Sequence, residues 1–295
     1  MAMSNPAVHQ RALDIGLTAL APLLWGSTYI VTTELLPPDR PLVAACLRTL
    51  PAGLLLLLWV RQWPAPGEWL RLLVLAGLNL ALFQALLFVA AYRLPGGVAA
   101  VVGAIQPLLV MGLAWAWDVR RPNPVAVLAS VVGIVGMALL LLSPQSRWDV
   151  AGVLAALIGA ASMATGTYLS RRWKSSLSLL GFTAWQLMLA GLMLLPAAWW
   201  LDPPLQALSL GAGLGYAYLS LAGALLAYVL WFRGLARLSP VAVSALGLLS
   251  PVTAVLLGWA LLGQALHGAA LWGLMLVLGS VLVVQKAPSP PRPVA

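Results

Sequence analysis

The stretch 88-FVAAYRLPGGVAAVVGAIQPLLVMGLAW-115 recurs 144 residues further along the chain, and this recurrence decides the fold. A shift of about half the chain indicates the duplication of a large unit rather than a short solenoid repeat. The two copies align without a gap. The matching residues, in order, are Phe88, Arg93, Leu94, Gly103, Pro107, Leu113 and Trp115 with Phe232, Arg237, Leu238, Gly247, Pro251, Leu257 and Trp259.

Both copies carry Gly-x-x-x-Pro inside an apolar run that is long enough to cross a bilayer. Proline has no amide hydrogen, so it cannot bond the carbonyl four residues back, which here belongs to glycine. Two interpretations stay open: a kink satisfied by a neighbouring helix, or a carbonyl that contacts a solute. Gln106 and Ser250, beside the prolines, are expected to face the same cavity. The predicted helix-break and gating residues are Gly103, Pro107, Gly247 and Pro251.

The composition excludes a soluble protein. Of 295 residues, 62% are hydrophobic and 8% are charged, and the mean hydropathy is +0.97. Soluble domains carry about 25% charged residues. The net charge of +9 comes from residues at helix ends, which argues against nucleic acid as a partner. Cys46 is the single cysteine, and the two histidines lie in the N-terminal tail and near an outer loop, so no cofactor, metal site or enzyme activity is predicted.

Runs of about 20 apolar residues, enough to cross a bilayer core of about 30 Å, predict an all-α integral membrane protein. Five spans in each half is an odd number, so the second half enters the membrane from the opposite side and the repeats are inverted. The ten predicted spans are 14–35, 41–60, 70–91, 97–117, 124–142, 150–170, 177–200, 207–232, 239–261 and 267–285. The predicted domains are a cytoplasmic tail 1–13, a first five-helix repeat 14–142, a second repeat 150–285 and a disordered cytoplasmic tail 286–295.

The distribution of Lys and Arg predicts the orientation. With the N-terminus in the cytoplasm, twelve of these residues fall in cytoplasmic segments, and three, Arg40, Arg93 and Arg147, fall in outer loops. Because Lys and Arg are enriched on the cytoplasmic side of membrane proteins, both termini are expected there.

Apart from Asp14 and Arg71, which lie within the first two residues of their predicted spans, two charged residues fall within predicted spans. Arg48 is the only basic one, and its favoured interpretation is a structural arginine that reaches the interface or pairs with Glu34 or with carbonyls. Glu34 is predicted to be the only acidic residue within a span, and its neighbours Pro37 and Asp39 indicate a cap at the interface. A proton relay built on carboxylates therefore has weak support.

Aromatic and polar residues deep in the spans predict a cavity for a solute. Such a pocket suits a flat or amphipathic metabolite, through stacking or cation–π contacts. Gln84 and Tyr228 are equivalent in the two repeats, which favours a shared location. For any single aromatic residue, packing against lipid or another helix is the competing interpretation. The predicted substrate-binding residues are Trp25, Tyr29, Asn79, Phe83, Gln84, Gln106, Thr165, Gln186, Tyr228 and Ser250.

Several motifs together resemble the EamA-type drug/metabolite transporters. They are 25-WGSTY-29 in span one, Leu47-Arg48 in span two, and Gln106-Pro107 and Ser250-Pro251 in spans four and nine. The segments 26-GSTYIVTTE-34 and 94-LPGGV-98 resemble the branch associated with bacterial pigment (indigoidine) export. The resemblance implies a central cavity between the halves. Carried over by position, its lining would be Trp25, Tyr29, Asn79, Gln84, Gln106, Thr165, Tyr228 and Ser250.

The resemblance also implies export of small metabolites, amino acids or cationic drugs across the bacterial inner (plasma) membrane. The predicted substrates are amino acids and aromatic or amphipathic compounds, exported by alternating access. The expected partners are a small-molecule substrate and the lipid bilayer, with the protein a monomer or weak dimer. Two alternatives stay open: a proton-coupled multidrug antiporter, and a membrane sensor or scaffold subunit that transports nothing. Related small multidrug exporters use a glutamate embedded in their first span, whereas here Glu34 lies only at the end of that span.

Overall fold

A computed structural model describes residues 6–94, 96–142, 149–205, 207–263 and 268–287. In these ranges ten helices are long and apolar enough to cross a membrane, which confirms the predicted all-α protein with ten spans. We number them α1 to α10. Six have no break: α1 Pro6–Leu35, α2 Pro41–Val60, α5 Pro124–Leu141, α6 Val150–Arg172, α7 Leu179–Leu201 and α10 Ala269–Lys286.

The other four spans are interrupted, and the interruptions are of two kinds. Two spans contain a π-helical segment between α-helical parts, and two break into separate α-helices. They are α3 (Trp69–Ala76, π Gly77–Ala81, Leu82–Arg93), α4 (Gly96–Gly103, Gln106–Asp118), α8 (Leu210–Ser220, π Leu221–Leu226, Ala227–Arg237) and α9 (Pro240–Leu246, Leu249–Leu262).

The interruptions recur with the sequence repeat. Residues 77 and 221, which begin the two π-helical segments, are 144 positions apart, the same shift that aligns Pro107 with Pro251. The breaks in α4 and α9 fall between the glycine and the proline of each Gly-x-x-x-Pro motif. The repeat is therefore visible in the backbone as well as in the residues.

Polar side chains begin five of the helices. In each case a side-chain oxygen accepts a hydrogen bond from a backbone N–H in the first turn, which would otherwise have no partner. The capping residues are Asn123 for α5, Asp149 for α6, Ser178 for α7, Ser209 for α8 and Ser239 for α9. Helix α1 begins at Pro6, within the segment predicted as a tail.

Equivalent helices of the two halves pack directly on each other at glycines. Helices α2 and α7 cross where a Cβ added to Gly53 would lie 2.4 Å from the backbone nitrogen of Met188. Helices α5 and α10 cross where a Cβ added to Gly273 would lie 2.5 Å from the carbonyl oxygen of Gly136. The absence of side chains at these points lets the helix backbones come close, as is common in membrane bundles.

The remaining contacts between the halves are reciprocal. Helix α1 packs against α8 and α9, and its equivalent in the second half, α6, packs against α3 and α4. Because each half has five spans, equivalent helices run in opposite directions, which is the inverted-repeat architecture. The interrupted spans of each half therefore face the first helix of the other half.

Some predicted features lie outside the described residues. These are residues 1–5 of the predicted N-terminal tail, residues 288–295 of the predicted C-terminal tail, Pro95 of the 94–98 motif, Arg147 of the predicted outer loops and residue 267 at the start of the tenth predicted span.

Candidate functional site

The π-helical segments of α3 and α8 receive side chains from the opposite half. Trp25 Nε1 and Arg48 Nη2 both donate to the carbonyl oxygen of Gly223, at 3.0 and 2.9 Å. In the other half, Ser162 Oγ donates to the carbonyl oxygen of Leu78 at 2.9 Å. A π-helical turn disturbs the regular backbone ladder, and such turns are frequent at functional sites. In a membrane, carbonyl groups that leave the ladder need other partners.

Aromatic rings pack around Trp25, which bonds to the Gly223 carbonyl. The ring of Trp25 lies 5.0 Å from those of both Tyr228 and Trp231, and Tyr228 stacks on Phe232 at 6.0 Å. Tyr228 and Trp231 are buried, whereas Trp25 is partly exposed. The rings thus form one cluster between α1 and α8, and Trp25 forms its accessible side.

A group of hydroxyls continues this cluster along α1. Tyr29 follows Trp25 by one helical turn and is 48% exposed. Ser27 Oγ lies 2.6 Å from the hydroxyl of Tyr218 on α8. The sequence analysis did not identify Tyr218, because it belongs to no repeat motif. We call Trp25, Ser27, Tyr29, Arg48, Tyr218, Gly223, Tyr228 and Trp231 the Arg48 cluster.

Several polar atoms at or near the predicted site are buried and have no hydrogen-bond partner among the described residues. Buried polar atoms normally have partners, so each of these atoms is free to bond to a solute or to water. They are Thr28 Oγ1, Arg48 Nε, Gln84 Nε2, Gln106 Nε2 and Trp231 Nε1.

Other predicted residues have protein partners. Asn79 Nδ2 donates to Ser170 Oγ at 3.0 Å and to Gln186 Oε1 at 3.3 Å, and Gln186 Nε2 reaches the carbonyl oxygen of Leu72 at 3.4 Å. Asn79 and Gln186 are fully buried. This network ties α3 to α6 and α7.

Three more predicted residues lie at the contacts of α1 and α6. Thr165 Oγ1 donates to a carbonyl of its own helix. Phe83 packs near Gly159 of α6. The carbonyl oxygen of Ser250 would be 2.5 Å from a Cβ added to Gly26, so α1 lies directly on the break of α9. The glycine of 25-WGSTY-29 is therefore needed for this close approach.

The two helix breaks differ in their local bonding. The Gly247 carbonyl oxygen, predicted to be released by Pro251, accepts a hydrogen bond from the amide of Ser250 at 3.1 Å. A Cβ added to Gly103 would have nothing within 4 Å, so the backbone there borders open space. Pro107 is buried and Pro251 is partly buried.

The acidic residues lie near the ends of the spans. Glu34 is exposed near the end of α1, where its carboxylate lies 3.4 Å from Thr33 Oγ1. Asp14, also within α1, is buried and accepts hydrogen bonds from Arg233 at 2.6 Å and Arg237 at 3.4 Å. Span one therefore holds a second acidic residue besides Glu34. The sequence did offer a sign of this, because Asp14 is the first residue of the predicted span 14–35.

The two ends of the bundle are not equally closed. At the end with Asp14, Arg172 also pairs with Asp118, at 2.5 Å. At the other end Arg93 and Asp149 are 3.7 Å apart and both about half exposed. An open cavity of about 290 Å³ lies at this second end, lined by Pro41, Leu42, Ala85, Val89, Arg93, Leu201 and Asp202.

Comparisons with known proteins agree with the repeat. The EamA-like transporter family matches residues 13–142 and again 150–285. Protein PecM of Dickeya dadantii is 43% identical over 90% of this chain and 90% of its own length. The uncharacterized transporter YwfM of Bacillus subtilis is 31% identical over 91% of this chain and 92% of its own. The uncharacterized inner membrane transporter YedA of Escherichia coli is 28% identical over 89% of this chain and 87% of its own.

A solved crystal structure of a protein superposes with a TM-score of 0.78 and covers 92% of this chain and 96% of that chain. At 20% identity, this likeness shows a shared fold alone.

Proposed function

Since the chain belongs to the EamA-like transporter family, we propose that it exports small metabolites across the bacterial inner membrane by alternating access. The observation that carries this proposal is the reciprocal pairing of the two halves at their interrupted spans. One carbonyl of each π-helical segment accepts a hydrogen bond from a side chain of the opposite half. Relative movement of the halves would exchange these contacts, and inverted repeats permit two such arrangements.

The unequal ends of the bundle support one open and one closed face. The closed face carries the buried pair of Asp14 and Arg233. The open face carries the cavity between α2, α3 and α7. With both termini in the cytoplasm, as the distribution of Lys and Arg predicts, the closed face is cytoplasmic and the cavity opens on the outer side.

The solute in this proposal lies against the Arg48 cluster, with Gln84 and Gln106 as further polar contacts. Gln84 Nε2 and Gln106 Nε2 are buried with no partner among the residues described, so a solute can satisfy them. The rings of Trp25 and Tyr228 supply a face for stacking. This combination suits an aromatic or amphipathic metabolite.

Flux in proteoliposomes tests the proposal. Purified protein should move at least one of radiolabelled tryptophan, tyrosine and indole-3-acetate faster than protein-free vesicles do. Gln84→Ala and Tyr228→Ala should each reduce this flux by about tenfold, as expected for the loss of a buried polar or aromatic contact. Trp59→Ala is the matched control, because Trp59 is 84% exposed on α2 and should not matter.

Normal flux in both site variants would remove this site assignment, and binding of a protein partner with no flux would favour the sensor or scaffold alternative. An imposed pH gradient tests the antiporter alternative. Uphill accumulation driven by the gradient would favour proton coupling, and equilibration alone would favour uniport.

A further inference from the structure

Arg48 has no acidic partner. Among the described residues, the ion pairs join Arg93, Arg172, Arg233 and Arg237 to aspartates, and no carboxylate lies within 4 Å of Arg48. All seven acidic residues of the chain lie in the described part, so no other acidic side chain can pair with Arg48. A guanidinium within a span is costly unless something compensates its charge.

The protein uses only part of the hydrogen-bonding capacity of Arg48. Nη2 donates to the Gly223 carbonyl oxygen at 2.9 Å, which fixes the side chain in place. Nε is buried and has no partner in the described ranges. A neutral carbonyl holds the group but does not balance its charge. The remaining N–H groups of the fork fit a carboxylate, which pairs with arginine through two parallel hydrogen bonds.

The surroundings of Arg48 are aromatic and contain no competing cation among the contacts described. Trp25 shares the Gly223 carbonyl with Arg48, and its ring lies 5.0 Å from that of Tyr228. The hydroxyl of Tyr218, on the same span as Gly223, lies 2.6 Å from Ser27 Oγ. An anion bound here would therefore lie beside aromatic rings and hydroxyl donors.

Arg48 lies on the same helix as part of the open cavity, deeper along α2. Pro41 lines that cavity, and Arg48 is seven residues further along α2, two turns down on the same helix face. At 1.5 Å per residue, the guanidinium-bearing residue is about 10 Å deeper than the cavity mouth.

We infer that the transported solute carries a carboxylate and that Arg48 binds this carboxylate, while the rings of Trp25 and Tyr228 hold its apolar part. This inference rests on the proposed transport function and specifies its substrate class: aromatic or amphipathic acids rather than neutral or cationic compounds. The Gly223 carbonyl serves as a positioning group for Arg48. No side chain of the second repeat duplicates Arg48, because its equivalent at a shift of 144 is Leu192.

Matched acids and amides test the inference. The probes are phenylacetate, indole-3-acetate and 4-hydroxybenzoate, each compared with its primary amide, in equilibrium binding of radiolabelled compound to the purified full-length protein at neutral pH. At least one acid should bind about tenfold or more tightly than its amide, the range for a charge-assisted pair. Arg48→Gln should abolish this preference and Arg48→Lys should keep a smaller one. Arg121→Gln, at an exposed arginine with no ion pair in the residues described, should leave it unchanged.

Three results would overturn the inference: equal binding of acids and amides, an unchanged preference in Arg48→Gln, or no binding of any acid. The acid–amide comparison in the unmodified protein is decisive even if Arg48→Gln fails to fold. Flux separates the two proposals. Protein-dependent flux of an amide equal to that of its acid would remove the role of Arg48 and leave transport standing, whereas absence of flux for every acid and amide would remove both.

Discussion

Two glutamines of the bundle differ in their hydrogen-bond partners. Gln186 is fully buried and bonds to Asn79 and to the carbonyl of Leu72, whereas Gln106 Nε2 has no partner in the part of the chain described. Gln186→Leu should lower the free energy of unfolding by about 1 kcal/mol, typical of polar contacts between membrane helices, without changing flux. Gln106→Leu should leave stability unchanged and reduce flux. Reversible unfolding in SDS and proteoliposome flux measure the two effects. Equal stability losses in both variants would contradict the distinction.

The close packing of helices α2 and α7 depends on a glycine where they cross. A Cβ added to Gly53 would lie 2.4 Å from the backbone nitrogen of Met188, and backbone cannot move aside as a side chain can. Gly53→Ala should therefore destabilise the protein by about 1–3 kcal/mol, the usual cost of overpacking. Gly279→Ala in α10 is the control, because a Cβ there meets nothing within 4 Å. Thermal melting of both variants in detergent measures the effect. A melting temperature of Gly53→Ala equal to that of the unmodified protein would contradict the close contact of α2 and α7.

Opening of the closed face of the bundle depends on the ion pair between Asp14 and Arg233. Asp14→Asn removes the acceptor charge of Arg233 and leaves a partly buried cation, so the closed face should open more often. Thr18, fully buried one turn further along α1, is the reporter position. In a Cys46→Ala background, Asp14→Asn should increase the rate of maleimide labelling of Thr18→Cys several-fold. This corresponds to a shift of about 1 kcal/mol or more in the equilibrium between the closed and the open face. Asp149→Asn, which breaks the exposed pair at the other end, should not increase it. Labelling that responds equally to both substitutions would exclude a gate at Asp14.

The proline positions show how far local sequence reaches. Pro22, Pro51 and Pro196 lie inside continuous helices, whereas α4 and α9 break just before Pro107 and Pro251. The difference lies in the residue four positions before each proline, which is glycine only for Pro107 and Pro251. A proline removes one hydrogen bond, but a glycine at the freed carbonyl also loses the side chain that would support the helix. The pattern Gly-x-x-x-Pro therefore predicted the breaks where proline alone would not.

By itself the sequence determined the membrane-spanning class, the ten helices, the duplication and the two broken spans, since each depends on composition or on residues within a few turns. Only the tertiary structure decided that Arg48 reaches Gly223 across 175 residues and that Arg233 reaches Asp14 across 219. It also decided the π-helical segments, for which neither half carries a matching motif. The physical reason is that a partner for a polar group in a membrane is chosen by which helices pack together, and no local pattern records that choice.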